Sequence, residues 1–240
     1  MLEDLFQSAL EFQEISDANF IYSLVMKQME RERRRSLKGM YGPSSLATCL
    51  RQVYLSRHSK RLGVTRLKEL RIEPNFYFAT GDWLHMKWQY ALHKLNKVTD
   101  DEEFQLWGLE VPVTSKHGDH GGTIDALARI HGVWTVVDFK GWNVRDFRRA
   151  SGGEVPFQAA FQIADYGLLA NVDKTLQLGG RVERGLLVVE NKGGPDRDHP
   201  IALTEVEIQM SDYLPQIKTR MSELRRHEKE DSIPVLIWGR

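Results

Sequence analysis

The sequence contains a single cysteine, Cys49, among 240 residues. One thiol cannot build an intrachain disulfide framework, which excludes the class of small disulfide-stabilised secreted domains. No apolar run approaches the roughly 18–20 residues that span a bilayer. The first residues, MLEDLFQSALEFQEI, are acidic and amphipathic, unlike the basic start and apolar middle of a signal peptide. These absences predict a cytoplasmic protein, and the length allows one sizeable core.

A net charge is lacking as well, because 33 Lys and Arg balance 33 Asp and Glu. The average conceals a split along the chain. Residues 1–30 carry six acids and one base, a net charge of −5, whereas residues 31–80 carry twelve Lys and Arg against three Glu, a net charge of +9. A basic stretch of this kind is typical of a surface that meets phosphates. A solvated basic helix beside an acidic one explains it equally well.

The spacing of apolar residues predicts a helical N-terminal arm at 1–42 and one domain at 43–240. The apolar stripe of the arm makes a homo-oligomer contact possible. Predicted helices are 2–14, 17–37, about 44–57, 78–96, 154–172 and 212–230. Predicted strands are 104–113, 121–130, 133–140, 184–191, 202–210 and 233–239. This order predicts an α/β (α+β) fold with a mixed sheet flanked by helices.

The third predicted strand, VWTVVDFK, is strongly apolar and then ends on charged residues. Alternate side chains of a strand share a face, so Asp138 and Lys140 project to the same side, and a short turn brings Asp125 close. Two converging carboxylates repel each other and favour a cation between them, for which Mg²⁺ or Mn²⁺ is suited. A lysine beside them can hold a water or stabilise charge on a phosphate. On the hairpin alone, an ordinary ion pair is the commoner explanation.

Three further features lie near this hairpin in the sequence. GDWLHMKW places His85 one helical turn after Gly81, and imidazole is an Mn²⁺ ligand. FQAAFQIADYG places Gln162 and Tyr166 four residues apart, on one helix face. A basic cluster on a predicted exposed turn is formed by Arg145, Arg148 and Arg149. Such a cluster could bind a phosphate backbone. Taken singly, each feature also has an ordinary structural explanation.

Taken in order, the elements resemble the RecB-like branch of the PD-(D/E)XK nuclease superfamily over about residues 43–170. The elements are Gly81-x-x-x-His85 on a helix, Gly122-x-x-Asp125 and Asp138-x-Lys140 on successive strands, and Gln162-x-x-x-Tyr166 on a later helix. The resemblance implies a PD-(D/E)XK restriction-endonuclease-like core. It also implies a DNA substrate and one or two Mg²⁺ or Mn²⁺ ions.

The resemblance further implies a role for each matching residue. The implied metal ligands are His85, Asp125, Asp138 and the carbonyl of Phe139. Lys140 matches the catalytic lysine, acting with the two aspartates, and Gln162 and Tyr166 match residues that support the site and contact DNA. Glu110, one strand earlier, is a candidate for the outer shell of the site. A solvated strand residue is an equally good explanation for Glu110.

The stretch GPSSLATCLRQVYLSR resembles part of the CRISPR-associated (Cas-four type) exonucleases and their phage-encoded relatives. There, the first of four iron–sulfur cysteines precedes an arginine, and Cys49 and Arg51 stand in the matching places. A [4Fe–4S] cluster takes four thiolates, so no iron–sulfur cluster is expected in a chain with one. Cys49 is therefore predicted to be a small buried residue, and Arg51 to contact DNA or pair with an acid.

The leading hypothesis is a metal-dependent exonuclease acting on single- or double-stranded DNA in replication, recombination or repair. One alternative is a structure-specific endonuclease of the same fold. A non-catalytic DNA-binding subunit is a second, and a structural protein whose hairpin charges are plain ion pairs is a third. The motifs leave the polarity of digestion, the strand preference and the choice of metal open.

Overall fold

The computed structural model describes residues 40–59, 61–63, 74–199 and 202–234, with the backbone alone for 74–83. The predicted helices 2–14 and 17–37, with the oligomer contact proposed for them, lie outside the described residues. Most of the predicted strand 233–239 lies outside them too, and its first two residues are irregular.

The described residues form a sheet with helices on both faces. The helices are α1 (Pro43–Leu46), α2 (Leu50–Arg57), α3 (Pro74–Val98), α4 (Val144–Ser151), α5 (Phe157–Val172) and α6 (Leu214–Lys229). The strands are β1 (Phe104–Thr114), β2 (Gly121–Ile130), β3 (Val133–Trp142), β4 (Val182–Asn191) and β5 (Leu203–Ile208). A short 3₁₀ turn, Met210–Asp212, precedes α6. None of the described helices combines the length and apolar character that crossing a bilayer requires.

The five strands lie in the order β1-β2-β3-β4-β5. β1, β2 and β3 are antiparallel neighbours, β3 and β4 are parallel, and β4 and β5 are antiparallel. The parallel pair requires a crossover, which α4 and α5 supply. His131 and Gly132 form the β2–β3 turn with φ values of 48° and 79°, as a two-residue type I′ hairpin needs. The predicted mixed sheet flanked by helices is confirmed.

Two apolar layers cover the sheet. One contains α1, α2, α5 and α6, and it packs on residues such as Leu127, Val136 and Leu187. The other contains α3, and it packs on residues such as Ala126, Val137 and Leu186. Neighbours along each strand therefore fall in opposite layers, because side chains of a strand alternate. The sheet is buried on both faces, which explains its long apolar runs.

Three local predictions are wrong. The predicted helix 44–57 is divided into α1 and α2, and Cys49 lies at the N-cap of α2 with an extended backbone. Its side chain is exposed instead of buried, because the break turns this position away from the apolar face. The basic cluster VRDFRR is a helix instead of a turn. Asn143 caps that helix by accepting a hydrogen bond from the Asp146 N–H at 3.0 Å.

Polar contacts, one of them a fully buried pair, hold α5 and α3 in place against the sheet. His120, immediately before β2, lies 2.7 Å from Asp165 of α5, and both side chains are buried. Burial raises the pKa of the Asp165 carboxyl, and the hydrogen bond to His120 opposes this rise. At the other face, Glu190 of β4 accepts from the Trp88 indole N–H and lies 3.1 Å from Lys87 Nζ. These contacts set the helices that carry His85 and Gln162 in register with the strands.

The C-terminal helix is tied to the loop between β1 and β2. Arg225 donates two hydrogen bonds to the Asp119 carboxylate, at 2.6 and 3.1 Å. Glu228 accepts from the Tyr41 hydroxyl at 2.9 Å, and burial raises the pKa of that hydroxyl. Tyr41 is itself buried, so the described chain enters the core two residues before the predicted boundary at 43. Arg51 donates to the Pro234 carbonyl at 3.2 Å, in the same region.

The Asp119–Arg225 pair leads to a prediction about stability in acid. The Arg225 hydrogen bonds hold the pKa of the Asp119 carboxyl well below its usual range. A lowered folded-state pKa adds stability above the ordinary carboxyl value, and this stability disappears as the pH falls through the lowered value. We expect Asp119→Asn to lower the free energy of unfolding by about 2 kcal/mol at pH 7.

The measurement is thermal unfolding of wild type and Asp119→Asn between pH 7 and pH 2. The difference between the two curves should shrink as the pH falls below the ordinary value for aspartate. Asp101→Asn, at an exposed position before β1, is the matched control and should differ little from wild type throughout. A difference that stays constant with pH would contradict the ion-pair explanation.

Candidate metal centre

The carboxylates lie where β2 and β3 separate. Ladder pairing between these strands begins at the hairpin and stops at Ala126–Val137, and the next opposed positions are Asp125 and Asp138. The Phe139 N–H donates to Asp125 Oδ2 at 2.9 Å. Both aspartates are buried, 3% and 1% exposed. The two acidic side chains thus stand side by side at the point where the hydrogen-bonded pairing of β2 and β3 ends.

Glu110 joins this row from β1. The register of β1 on β2 pairs Leu109 with Ala126 and Val111 with Ile124, which sets Glu110 opposite Asp125. Glu110 has a φ of 51°, in the left-handed region that non-glycine residues rarely adopt. This conformation interrupts the alternation of β1, so that Leu109 and Val111 pack in different apolar layers. Strain of about 1–3 kcal/mol at such a residue persists only where the surroundings hold it.

A histidine from α3 completes a compact group of ligand atoms. Single ligand atoms of His85, Glu110 and Asp125 all lie within 4.8 Å of one another. His85 Nδ1 is 3.4 Å from Asp125 Oδ1. The imidazole ring also stands edge-on to the Phe139 ring, with centroids 6.4 Å apart. One imidazole nitrogen and two carboxylate oxygens at this spacing are a donor set for Mn²⁺ or Mg²⁺.

Asp138 lies between a lysine and an amide. Lys140 Nζ is 2.7 Å from Asp138 Oδ2, as expected for residues two apart on one strand. Gln162 Nε2 donates to Asp138 Oδ1 at 3.3 Å and lies 3.5 Å from the Tyr166 hydroxyl. Burial raises the pKa of the Asp138 carboxyl, Lys140 opposes the rise, and the nearby Asp125 charge adds to it. The charged form of Asp138 is therefore costly in the folded protein.

The glycine of the Gly122-x-x-Asp125 pattern has a steric reason. A Cβ atom on Gly122 would lie 3.0 Å from Tyr166 Cε1 and 3.0 Å from Pro43 Cδ. Distances this short are tighter than nearly all real Cβ contacts. A side chain at this position would push Tyr166 away from the neighbouring Gln162. The glycine thus allows α5 to approach β2 closely beside the aspartates.

The predicted site residues fall into two groups. His85, Glu110, Asp125, Asp138, Lys140, Gln162 and Tyr166 come together at one end of the sheet. Phe139 is also there, and its backbone N–H contacts Asp125 while its role through the carbonyl stays a prediction. Glu110, predicted for the outer shell, lies within the compact group of ligand atoms.

The arginines lie elsewhere. The described contact of Arg51 is with the Pro234 carbonyl of the C-terminal segment. Arg145, Arg148 and Arg149 are exposed on α4, the helix that follows Lys140 after three residues. Arg149 pairs with Glu154 at 2.9 Å, and both side chains are more than half exposed. A role of these arginines in binding DNA remains a prediction.

Sequence reasoning missed Gln89. This buried side chain donates to Glu110 Oε1 at 2.5 Å and lies 3.5 Å from the Asp125 carbonyl oxygen. Gln89 stands four residues after His85, hence on the same face of α3. That spacing is visible in the sequence. The contact with Glu110 could not be predicted from it, because Glu110 belongs to a different element and its position depends on a left-handed backbone conformation.

Gln89 leads to a prediction about metal affinity. Residues that orient metal ligands typically contribute a factor of about 10–100 in affinity. We expect Gln89→Leu to weaken Mn²⁺ binding by that factor, because Glu110 loses the donor that aims it. Isothermal titration calorimetry with Mn²⁺ measures the effect. Gln158→Leu, at an exposed position of α5, is the matched control, and equal affinities of the two variants would refute the role.

Comparisons with known proteins give only distant similarity. The sequence matches no protein-family model, and no curated protein matches it. Among solved structures, the fold is similar to that of SSO0001, at 16% identity and a TM-score of 0.44 over 85% of each chain. It is also similar to an alkaline exonuclease (LHK-Exo) from Laribacter hongkongensis, at 14% identity and a TM-score of 0.43, over 84% of this chain and 100% of that chain. Similarities this distant carry no inference about substrate, metal or reaction.

Proposed function

We propose that this protein is a divalent-metal-dependent deoxyribonuclease of the RecB-like PD-(D/E)XK type, acting as an exonuclease. The observation that carries the proposal is the meeting of three carboxylates, one imidazole and one lysine at a single end of the sheet. A structural ion pair explains Asp138 and Lys140 alone. It does not explain two further acids and a histidine beside them, since buried carboxylates at close range repel each other.

The donor set suits Mg²⁺ or Mn²⁺. Ligand atoms of His85, Glu110 and Asp125 lie within 4.8 Å of one another, close enough to surround one ion. Asp138 stands in the next position of the same row, so an ion between it and Asp125 would relieve their repulsion. A bound ion would lower the pKa of a water and polarise a phosphate oxygen, which are the two needs of phosphodiester hydrolysis. The proposal allows one or two such ions.

The chain's own residues supply the rest of the chemistry. Lys140 holds a positive charge 2.7 Å from Asp138, where it can orient a water or stabilise charge developing on the scissile phosphate. Gln162 restrains the other oxygen of Asp138 from the α5 side, at 3.3 Å. Because the two aspartates are buried, their interactions with an ion or a charged neighbour would be stronger than in water.

DNA is the proposed substrate, and the proposed cellular role is in replication, recombination or repair. The exposed arginines of α4 follow Lys140 closely in the sequence and are proposed to meet the phosphate backbone away from the carboxylates. Part of the basic stretch 31–80 lies outside the described residues, so its contribution stays a prediction. Binding through these groups should weaken steeply as salt rises.

The test is a cleavage time course on end-labelled single- and double-stranded DNA with Mg²⁺, with Mn²⁺ and with EDTA. An exonuclease releases label progressively from one end and leaves a closed single-stranded circle intact. Cutting of the circle would support an endonuclease instead. Absence of cleavage with every substrate and metal would refute the proposal and favour a DNA-binding subunit without catalytic activity.

A further inference from the structure

A cavity of about 630 Å³ opens at the hairpin end of the sheet, away from the carboxylates. Its floor is a row of cross-strand neighbours, Gln105 on β1, Arg129 on β2 and Trp134 on β3. The loop between α5 and β4, residues 177–181, forms one wall. Trp134 lies four residues before Asp138 on β3, about 13 Å away at roughly 3.3 Å per residue. This cavity, here called the hairpin groove, is thus separate from the candidate metal centre.

The hairpin groove presents an indole to solvent. Trp107 lines it and is 42% exposed, which is unusual for the largest apolar side chain. The register of β1 on β2 shifts between Leu106 and Gly108, so Trp107 occupies a bulge. Bulges redirect a side chain and recur next to functional sites. Trp134, on the floor of the groove, packs against Gly180 of the loop that forms its wall. The indole of Trp134 is therefore held in place by this contact.

The charged residues of the hairpin groove are mainly cationic. Arg129 and Arg181 line it and are both exposed, against a single acid, Glu183. Arg129 Nε donates to the Gly132 carbonyl at 3.0 Å, which uses one of the five guanidinium N–H donors and orients the rest. Gln105 and Gln177 add amides that can donate and accept. Aromatic faces beside planar cations and amides are the chemistry that binds bases and phosphates of single strands.

We propose that the hairpin groove binds a segment of single-stranded nucleic acid, with a base stacked on Trp107 and phosphates on Arg129 and Arg181. The identity of the strand as DNA rests on the proposed nuclease function. A protein partner is less favoured, because a stable protein interface buries about 800 Å² on each side and this lining is a small polar concavity. Strands long enough to reach both the hairpin groove and the candidate metal centre should bind more tightly than short ones, since the second contact becomes intramolecular.

The test measures binding of labelled oligothymidylates of about 2 nucleotides, too short to span the roughly 13 Å between the metal centre and the groove, and of about 20 nucleotides, in EDTA so that no cleavage occurs. We expect Trp107→Ala to weaken binding of the longer strand by about tenfold, since stacking on one aromatic residue contributes on this scale. Trp107→Phe keeps an aromatic face and should bind within about twofold of wild type. The double variant Arg129→Gln/Arg181→Gln should reduce the slope of log affinity against log salt by about 1.4, or about 0.7 for each phosphate contact.

Matched controls separate the outcomes. Arg197→Gln, at an exposed position outside the hairpin groove, should leave affinity and salt slope unchanged. Cleavage of a strand too short to reach the groove should be equal in wild type and Trp107→Ala. If the protein cuts no DNA but strand binding still depends on Trp107, the groove proposal is supported and the nuclease proposal is refuted. If it cuts DNA while the Trp107 and arginine variants bind every length like wild type, the groove proposal is overturned and a protein partner is favoured.

Discussion

Asp138→Asn is expected to abolish metal-dependent DNA cleavage and at the same time to raise the melting temperature in EDTA. A structural ion pair predicts the opposite for stability, because removal of one partner leaves the other charge without compensation. The two changes in opposite directions therefore distinguish a metal centre from a salt bridge. Active sites that hold like charges close together are commonly destabilising, so a substitution that removes one of the charges raises stability and lowers activity.

The sign of the stability change follows from the pKa of Asp138. Burial raises it above the ordinary value even though Lys140 opposes the rise. A carboxyl with a raised folded-state pKa holds its proton more firmly in the folded than in the unfolded chain, so stability falls as the pH rises through that interval and remains lower above it. Asparagine carries no charge and avoids this loss. Each 1 kcal/mol recovered at neutral pH corresponds to about 2–4 °C in a chain of this size.

Unfolding in EDTA and in Mn²⁺ measures both sides of this prediction. Wild type should gain stability from Mn²⁺, by about 2.7 kcal/mol at a concentration one hundred times the dissociation constant. The Asp138→Asn variant should have the higher melting temperature in EDTA and should gain much less stability from Mn²⁺. Asp101→Asn, exposed and remote from the site, should behave as wild type. A melting temperature that falls in EDTA would support the plain ion pair.

Lys140→Met is expected to lower the cleavage rate by about 10²–10³-fold, the usual loss when one group that stabilises the transition state is removed. Methionine retains most of the aliphatic length, so the packing of the partly exposed lysine stem is kept. Lys140 is not a ligand in the proposal, and its positive charge opposes the approach of a cation. Mn²⁺ affinity should therefore stay within a few fold of wild type or increase.

Initial cleavage rates at saturating DNA, together with Mn²⁺ titration, check this prediction. Lys218→Met, at an exposed position of α6, is the matched control for loss of a positive charge. A loss of rate that parallels a loss of Mn²⁺ affinity would mean that Lys140 acts by shaping the metal site. An unchanged rate would exclude a catalytic role.

Much of the architecture follows from local patterns. The apolar strands 121–130 and 133–140 and the turn between them were predictable, because alternation and the His-Gly turn are local properties. The neighbouring positions of Asp138 and Lys140 on one strand face followed from the same period of two. The break between α1 and α2 and the helix at Val144–Ser151 were not predicted, because capping and packing override weak local preferences at such short segments.

The amino-acid sequence by itself determined a mixed sheet flanked by helices and two aspartates with a lysine on adjacent strands. The sequence offered Glu110 only as a candidate for the outer shell, and only the tertiary structure decided that it lies among the ligand atoms and that Gln89 joins it. Glu110 turns toward Asp125 through a left-handed φ of 51°, and Gln89 reaches it from another layer of the fold at 2.5 Å. Contacts between distant elements depend on where strands separate and helices cross. Those positions are set by packing of the whole core, and they cannot be predicted from the periodicity of a single segment.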